Sequence, residues 1–174
     1  YYADTRLPWT PASPNIPTPE TFLPFAGMVL FENLDINHGR GTTAPFYYAG
    51  APFIDGERLA RRMNALRLPG VRCLEAVWQP QSAAYANEIC RGVFFNVTEP
   101  RVFRPVDFAV RLIFAIYEEY SGRIRLNEPY MHTESGSALL YRTLVSHGSP
   151  DTVLSAWRED AEVFSALRRP WLLY

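Results

Sequence analysis

Residues 105–120 constrain the fold more than any other stretch. Pro105 suits a first helical position, and a helix from there to about Tyr120 carries a polar stripe only at Asp107, Arg111 and Glu118. Almost every other position is apolar, and so broad an apolar face belongs in a core. The 174 residues fit one domain, long enough to bury ~70% of the unfolded surface, rather than two independent ones.

The charge balance narrows function. The formal net charge is -1 and the pI is near 6.4, which gives no general attraction to nucleic acid or an anionic membrane. All 17 basic residues are arginine. Without lysine, neither a Schiff base nor the Gly-Lys-Ser/Thr phosphate loop can operate. The plainer source of the arginine bias is a GC-rich genome. No apolar run reaches the ~20 residues of a membrane span. The chain opens Tyr1-Tyr2-Ala3-Asp4 with no initiator methionine, as a fragment or processed product does. Cys73 and Cys90 allow one disulfide, with free, partly buried thiols the favoured reading. No Cys or His lies at ligand spacing from either, so no metal is implied.

Pro8, Pro11, Pro14 and Pro17 recur every third residue and favour an extended path, so residues 1–18 read as a linker or surface strap. Residues 19–174 read as one α+β domain with a small mixed sheet, flanking helices and a helical last third. Thr18 and Pro19 open a short helix limited by Pro24 and Gly27, and Met28–Phe31 reads as a brief strand. Residues 45–53 read as extended. Asp55 caps a helix whose apolar face holds Leu59, Met63 and Leu66. Strands follow at 71–78 and 92–98. Further helices are expected at 135–147 and, capped by Ser149, at 150–168, with Leu154, Trp157, Ala161 and Phe164 as a buried stripe.

Chemistry concentrates between Glu32 and Phe46. Gly39-Arg40-Gly41-Thr42-Thr43 can present backbone amides, a guanidinium and two hydroxyls to a carboxylate or to sugar hydroxyls. The competing reading is a tight turn with Arg40 in a structural salt bridge, and Glu32 then serves to fix Arg40 rather than to accept from a sugar. His38 is a ligand donor or a solvated loop residue. The candidate substrate-binding set is Glu32, Asn37, His38, Arg40, Thr42 and Thr43. Among Phe46, Tyr47 and Tyr48, rings suited to sugar stacking, at least one belongs to the core. Serine-hydrolase and zinc-peptidase motifs are absent, and no pair of carboxyls declares itself for glycoside hydrolysis.

A series of phrases then points to a family. Leu7-Pro8-Trp9, Ser13-Pro14-Asn15-Ile16-Pro17-Thr18, Phe31-Glu32, Gly39-Arg40-Gly41-Thr42-Thr43, Pro45-Phe46, Gly50-Ala51-Pro52, Leu68-Pro69-Gly70-Val71, Phe103-Arg104-Pro105-Val106 and Arg169-Pro170-Trp171-Leu172-Leu173-Tyr174 occur in that order. Together they resemble the carboxy-terminal domain of the exo-β-N-acetylmuramidase family, over nearly the whole chain. The resemblance implies a bacterial, exported two-domain glycoside hydrolase, extracellular or periplasmic, that removes terminal N-acetylmuramic acid from peptidoglycan fragments. It places the catalytic carboxylates in an amino-terminal Rossmann-like domain outside this chain, so no catalytic residue, cofactor or metal is assigned here. The partners it implies are a peptidoglycan-derived sugar and that domain. Two departures stand out: Asn96 where relatives commonly carry histidine, and a short segment from Tyr130 to Gly136. The rival readings are a stand-alone carbohydrate-binding or interaction module, and a domain in which Glu32 itself is catalytic.

Overall fold

A computed structural model describes residues 2–173. Tyr1 and Tyr174, the outer ends of the two expected segments, lie outside the described residues. Six α-helices and three strands follow in the order α1 (Phe22–Met28), β1 (Tyr48–Ala51), α2 (Gly56–Ala65), β2 (Val71–Trp78), β3 (Cys90–Val97), α3 (Pro105–Tyr120), α4 (Glu128–Ser135), α5 (Leu139–Val145) and α6 (Pro150–Arg168). The class is α+β, as expected.

α3 is the axis of the core. Its residues from Phe108 to Ile116 are buried except Arg111, which pairs with Asp151 on α6. Glu118, from the same polar stripe, pairs with Arg62 of α2. On one side α3 meets the sheet through Phe108, whose ring lies 4.6 Å from that of Phe95. On another it meets α1, where Gly27 allows the backbones to touch: a Cβ there would stand 2.1 Å from the Pro105 carbonyl oxygen.

The sheet order is β1-β3-β2, and both hydrogen-bonded pairs are antiparallel. The expected mixed sheet is corrected on that point. β1 and β2, joined through α2, run in the same direction, but β3 inserts between them and removes the parallel pairing. Cys73, Val93 and Phe95 turn inward beneath the helices, while Tyr48 and Phe94 pack together on the other face at 5.1 Å.

Several local expectations change. Met28–Phe31 is not a strand, because the chain leaves α1 directly into a 3-10 turn over Val29–Asn33. A short apolar run fits a buried helical turn as well as a strand. Pro24 does not limit α1 but sits within its first turn, where its missing N–H costs nothing. Leu66 follows α2 as its cap and is exposed. The helix expected at 135–147 is shorter, α5 over Leu139–Val145, and a separate unexpected helix, α4, precedes it and ends at Gly136, left-handed at φ 74°. In α6, Leu154 is buried and Trp157 partly so, whereas Ala161 and Phe164 are exposed.

The Pro-rich segment lies against the body. The Trp9 indole donates to the Pro17 carbonyl at 2.9 Å and its ring packs edge-on to Phe22, while Ile16 is buried.

Candidate functional site

Asn37 builds the loop that holds Arg40. The residue is fully buried, and its backbone exchanges two hydrogen bonds with Gly50 on the edge strand β1. Its side-chain oxygen accepts from the Gly39 amide at 3.0 Å and from the Trp78 indole at 2.9 Å. Its amide nitrogen donates to the carbonyls of Arg40 and Ala84. All four side-chain bonding positions are therefore used within the fold. Gly39 and Gly41 take φ of 89° and 80°, conformations that L side chains avoid. At Gly41 a Cβ would also meet the Ser82 backbone at 2.5 Å. The Thr42 hydroxyl donates to the Gly39 carbonyl and accepts from the Ala44 amide, closing the turn, while Thr43 is exposed.

On this frame Glu32, His38 and Arg40 converge. Arg40 Nε and Nη2 both donate to Glu32 Oε1, and His38 Nε2 lies 3.3 Å from the same oxygen. Arg40 Nε also lies 3.2 Å from His38 Nε2. One nitrogen cannot both donate to the carboxylate and accept from the guanidinium. The tautomer protonated at Nε2 satisfies Glu32 and leaves buried Nδ1 an unpartnered acceptor; the other leaves an unpartnered N–H there, which is costlier. We therefore assign the proton to Nε2. The His38 hydrogen bond, then the Arg40 guanidinium, hold the Glu32 carboxyl below its ordinary value against the opposing effect of burial. Glu32 is thus suited to accept hydrogen bonds and unsuited to protonate a leaving group. Phe46, buried and left-handed at φ 68°, packs against the His38 ring, and the Arg40 guanidinium carbon lies 5.3 Å from its ring centre.

Helix α4 begins beside this cluster. Asp35 and Asn127 amides bond across to Arg125 and Asn33, stitching the 3-10 turn that carries Glu32 to the start of α4. The Glu134 carboxylate beside it on α4 raises the Tyr130 pKa, and the Tyr130 hydroxyl also feels the charges of both Glu32 and Arg40. In the sequence Tyr130 to Gly136 stands out only as a short segment, with nothing to mark Tyr130 or Glu134. The signal for the helix itself was Asn127 with Pro129: the Asn127 side chain accepts from the Tyr130 amide as an N-cap, and Pro129 occupies the first turn.

Of the six candidates, Glu32, His38 and Arg40 form one cluster, Asn37 and Thr42 support it from within the fold, and Thr43 stands at its rim. Phe46 is core, and Tyr47 and Tyr48 are half-buried. Arg40 Nη1 has no hydrogen-bond partner among the described residues, and the side chain is 32% exposed. The cluster lies outside the main hollows of the described residues: a groove of about 700 Å³ between the amino-terminal strap and residues 96–102, a shallow hollow of about 400 Å³ along the outer half of α6, and one of about 290 Å³ between α3 and the start of α6. Among the described residues no group of His, Cys, Asp and Glu is placed to hold a metal.

A three-stranded antiparallel sheet under a central apolar helix, with an arginine loop tied to an acidic turn, defines a domain class that comparison identifies. Residues 23–174 match the family described as exo-beta-N-acetylmuramidase NamZ, C-terminal, and the chain belongs to that family. It is 31% identical over 174 residues to the peptidoglycan beta-N-acetylmuramidase NamZ of Bacillus subtilis (strain 168), a match covering 99% of this chain and 42% of that protein. Two crystal structures of DUF1343 family proteins from Bacteroides fragilis NCTC 9343 share the fold. One has a TM-score of 0.90 at 23% identity over 99% of this chain and 47% of its own. The other has a TM-score of 0.67 at 22% identity over 94% and 43%. This chain therefore spans less than half the length of the relatives it matches. No described helix is long and apolar enough to cross a membrane.

Proposed function

We propose that this chain is the substrate-contacting C-terminal domain of a peptidoglycan-degrading exo-β-N-acetylmuramidase acting outside the cytoplasm. It forms one wall of a cleft whose catalytic carboxylates belong to a preceding Rossmann-like domain. The observation that carries this reading is the Glu32–His38–Arg40 cluster, a pre-positioned guanidinium at the surface of a domain from a muramidase family. N-acetylmuramic acid differs from N-acetylglucosamine by a lactyl carboxylate. Arg40 Nη1 offers that carboxylate a charge-assisted hydrogen bond, and Glu32 prevents the guanidinium from swinging away. A partly exposed cluster outside these hollows suits one wall of a shared cleft better than a complete pocket.

The test is Arg40→Ala in the full-length enzyme, with binding of N-acetylmuramic acid and N-acetylglucosamine measured side by side. One lost charge-assisted hydrogen bond corresponds to roughly 10- to 100-fold, expected for the muramyl sugar alone. Equal weakening for both sugars removes Arg40 from lactyl recognition. Robust turnover of a chromogenic muramide by residues 1–174 alone would overturn the division of labour between domains.

A further inference from the structure

The apolar stripe of α6 outlasts its burial. Val153, Leu154 and Trp157 pack against the body, and every described residue from Arg158 to Leu173 is exposed. The stripe nevertheless continues at helical spacing through Phe164 and Leu167 into Trp171, exposed by 62%, 67% and 82%. Val163 lies beside it, and Leu173 beyond it is 94% exposed. At 1.5 Å per residue, about 15 Å of amphipathic helix stands away from the domain with its apolar side uncovered.

We propose that this distal half of α6, with the turn that follows it, docks onto the part of the longer protein that lies outside this chain. The proposal rests on the reading of the chain as one domain of a larger enzyme, but not on the sugar-binding role of Arg40. Two observations favour that occupant over a second copy. First, the relatives carry more than half of their length outside the matched region, so a large covalently attached partner is at hand in them. Second, the uncovered patch is small, six large apolar side chains on one helix face and the turn after it, Val163, Phe164, Leu167, Trp171, Leu172 and Leu173, against the ~800 Å² and roughly 20–30 residues per partner typical of a stable interface between separate molecules. Tethering removes the shortfall, because a linked domain is present at millimolar effective concentration. Arg168 and Arg169 beside the stripe supply a charged rim.

The experiment uses the full-length protein and its L167E/W171E variant. Both positions are exposed in this domain, so exchange protection in α3 should be equal in the two proteins and verifies folding. Amide hydrogen exchange across 159–173 is expected to be at least about tenfold slower in the parent than in the variant. Equal exchange across that segment overturns the docking. If the difference appears only at concentrations where sedimentation shows a dimer, the occupant is a second copy, and the assignment to the attached domain is overturned. Neither readout requires sugar, so failure here is separable from failure of the Arg40 test.

Discussion

Glu32 accepts hydrogen bonds from two side chains of one loop, so its protonation is linked to the placing of that loop. Its folded pKa lies below the ordinary 4.5, so it contributes stability that is fully present above the unfolded value and lost as pH falls through the folded one. Stability should therefore decline on acidification below about pH 4.5, and part of that decline belongs to Glu32. Glu32→Gln keeps the shape and removes the titration. Urea midpoints taken from pH 3 to 7 should fall less steeply for the variant, which starts about 1 kcal/mol lower at pH 7, as suits a partly exposed charged pair. Parallel curves would mean the pair contributes nothing to the acid limb. Asn37 matters differently, because it never titrates: its four bonds shape the backbone from which Arg40 projects.

Where α1 crosses α3, the contact is backbone on backbone, and Gly27 is the residue that permits it. An added Cβ would face the Pro105 carbonyl carbon at 2.5 Å and Ala109 Cβ at 3.0 Å, neither of them the free end of a flexible side chain. Gly27→Ala should cost roughly 3 kcal/mol in urea unfolding, at the upper end for overpacking. Gly122→Ala, with nothing within 4 Å, serves as the near-neutral control. The contacts of α3 also explain how much was legible beforehand. Its bounds and its polar stripe could be read because the signal is local and strong, and the Asp55 and Ser149 caps could be read for the same reason. α4 could not be read from periodicity, since Met131 is its buried residue and the helix is otherwise polar. At the candidate site, the pairing of Glu32 with Arg40 was legible as one of two readings of nearby residues. The anchoring of Asn37 was not, because Trp78 and Ala84 lie 41 and 47 residues along the chain. The uncovered end of α6 marks a further limit: the stripe is written in the sequence, but its partner is not among these residues.

At the scale of the whole molecule, the two cysteines test whether the sheet and helices open as one unit. Both thiols are free and buried, Cys73 beneath the helices and Cys90 opposite Trp78 on the other sheet face. Burial pushes Cys73 up to about 12 and Cys90 up to about 11, the latter helped by the Glu88 charge. At pH 8 the thiolate is therefore on the order of one part in a thousand or less, and a disulfide reagent should find neither sulfur while the fold is closed. If the domain is one cooperative unit, both react only through global opening, at a common rate set by its free energy. Gly27→Ala then becomes a probe at a distance. A loss of about 3 kcal/mol should speed modification of both thiols by the same factor, on the order of 100-fold, although Gly27 touches neither strand. Thiol labelling resolved by mass spectrometry distinguishes the alternatives. Rapid labelling of Cys90 with Cys73 still protected would mean that the segment from 79 to 89 opens alone, exposing one face of the sheet while α3 keeps the other closed.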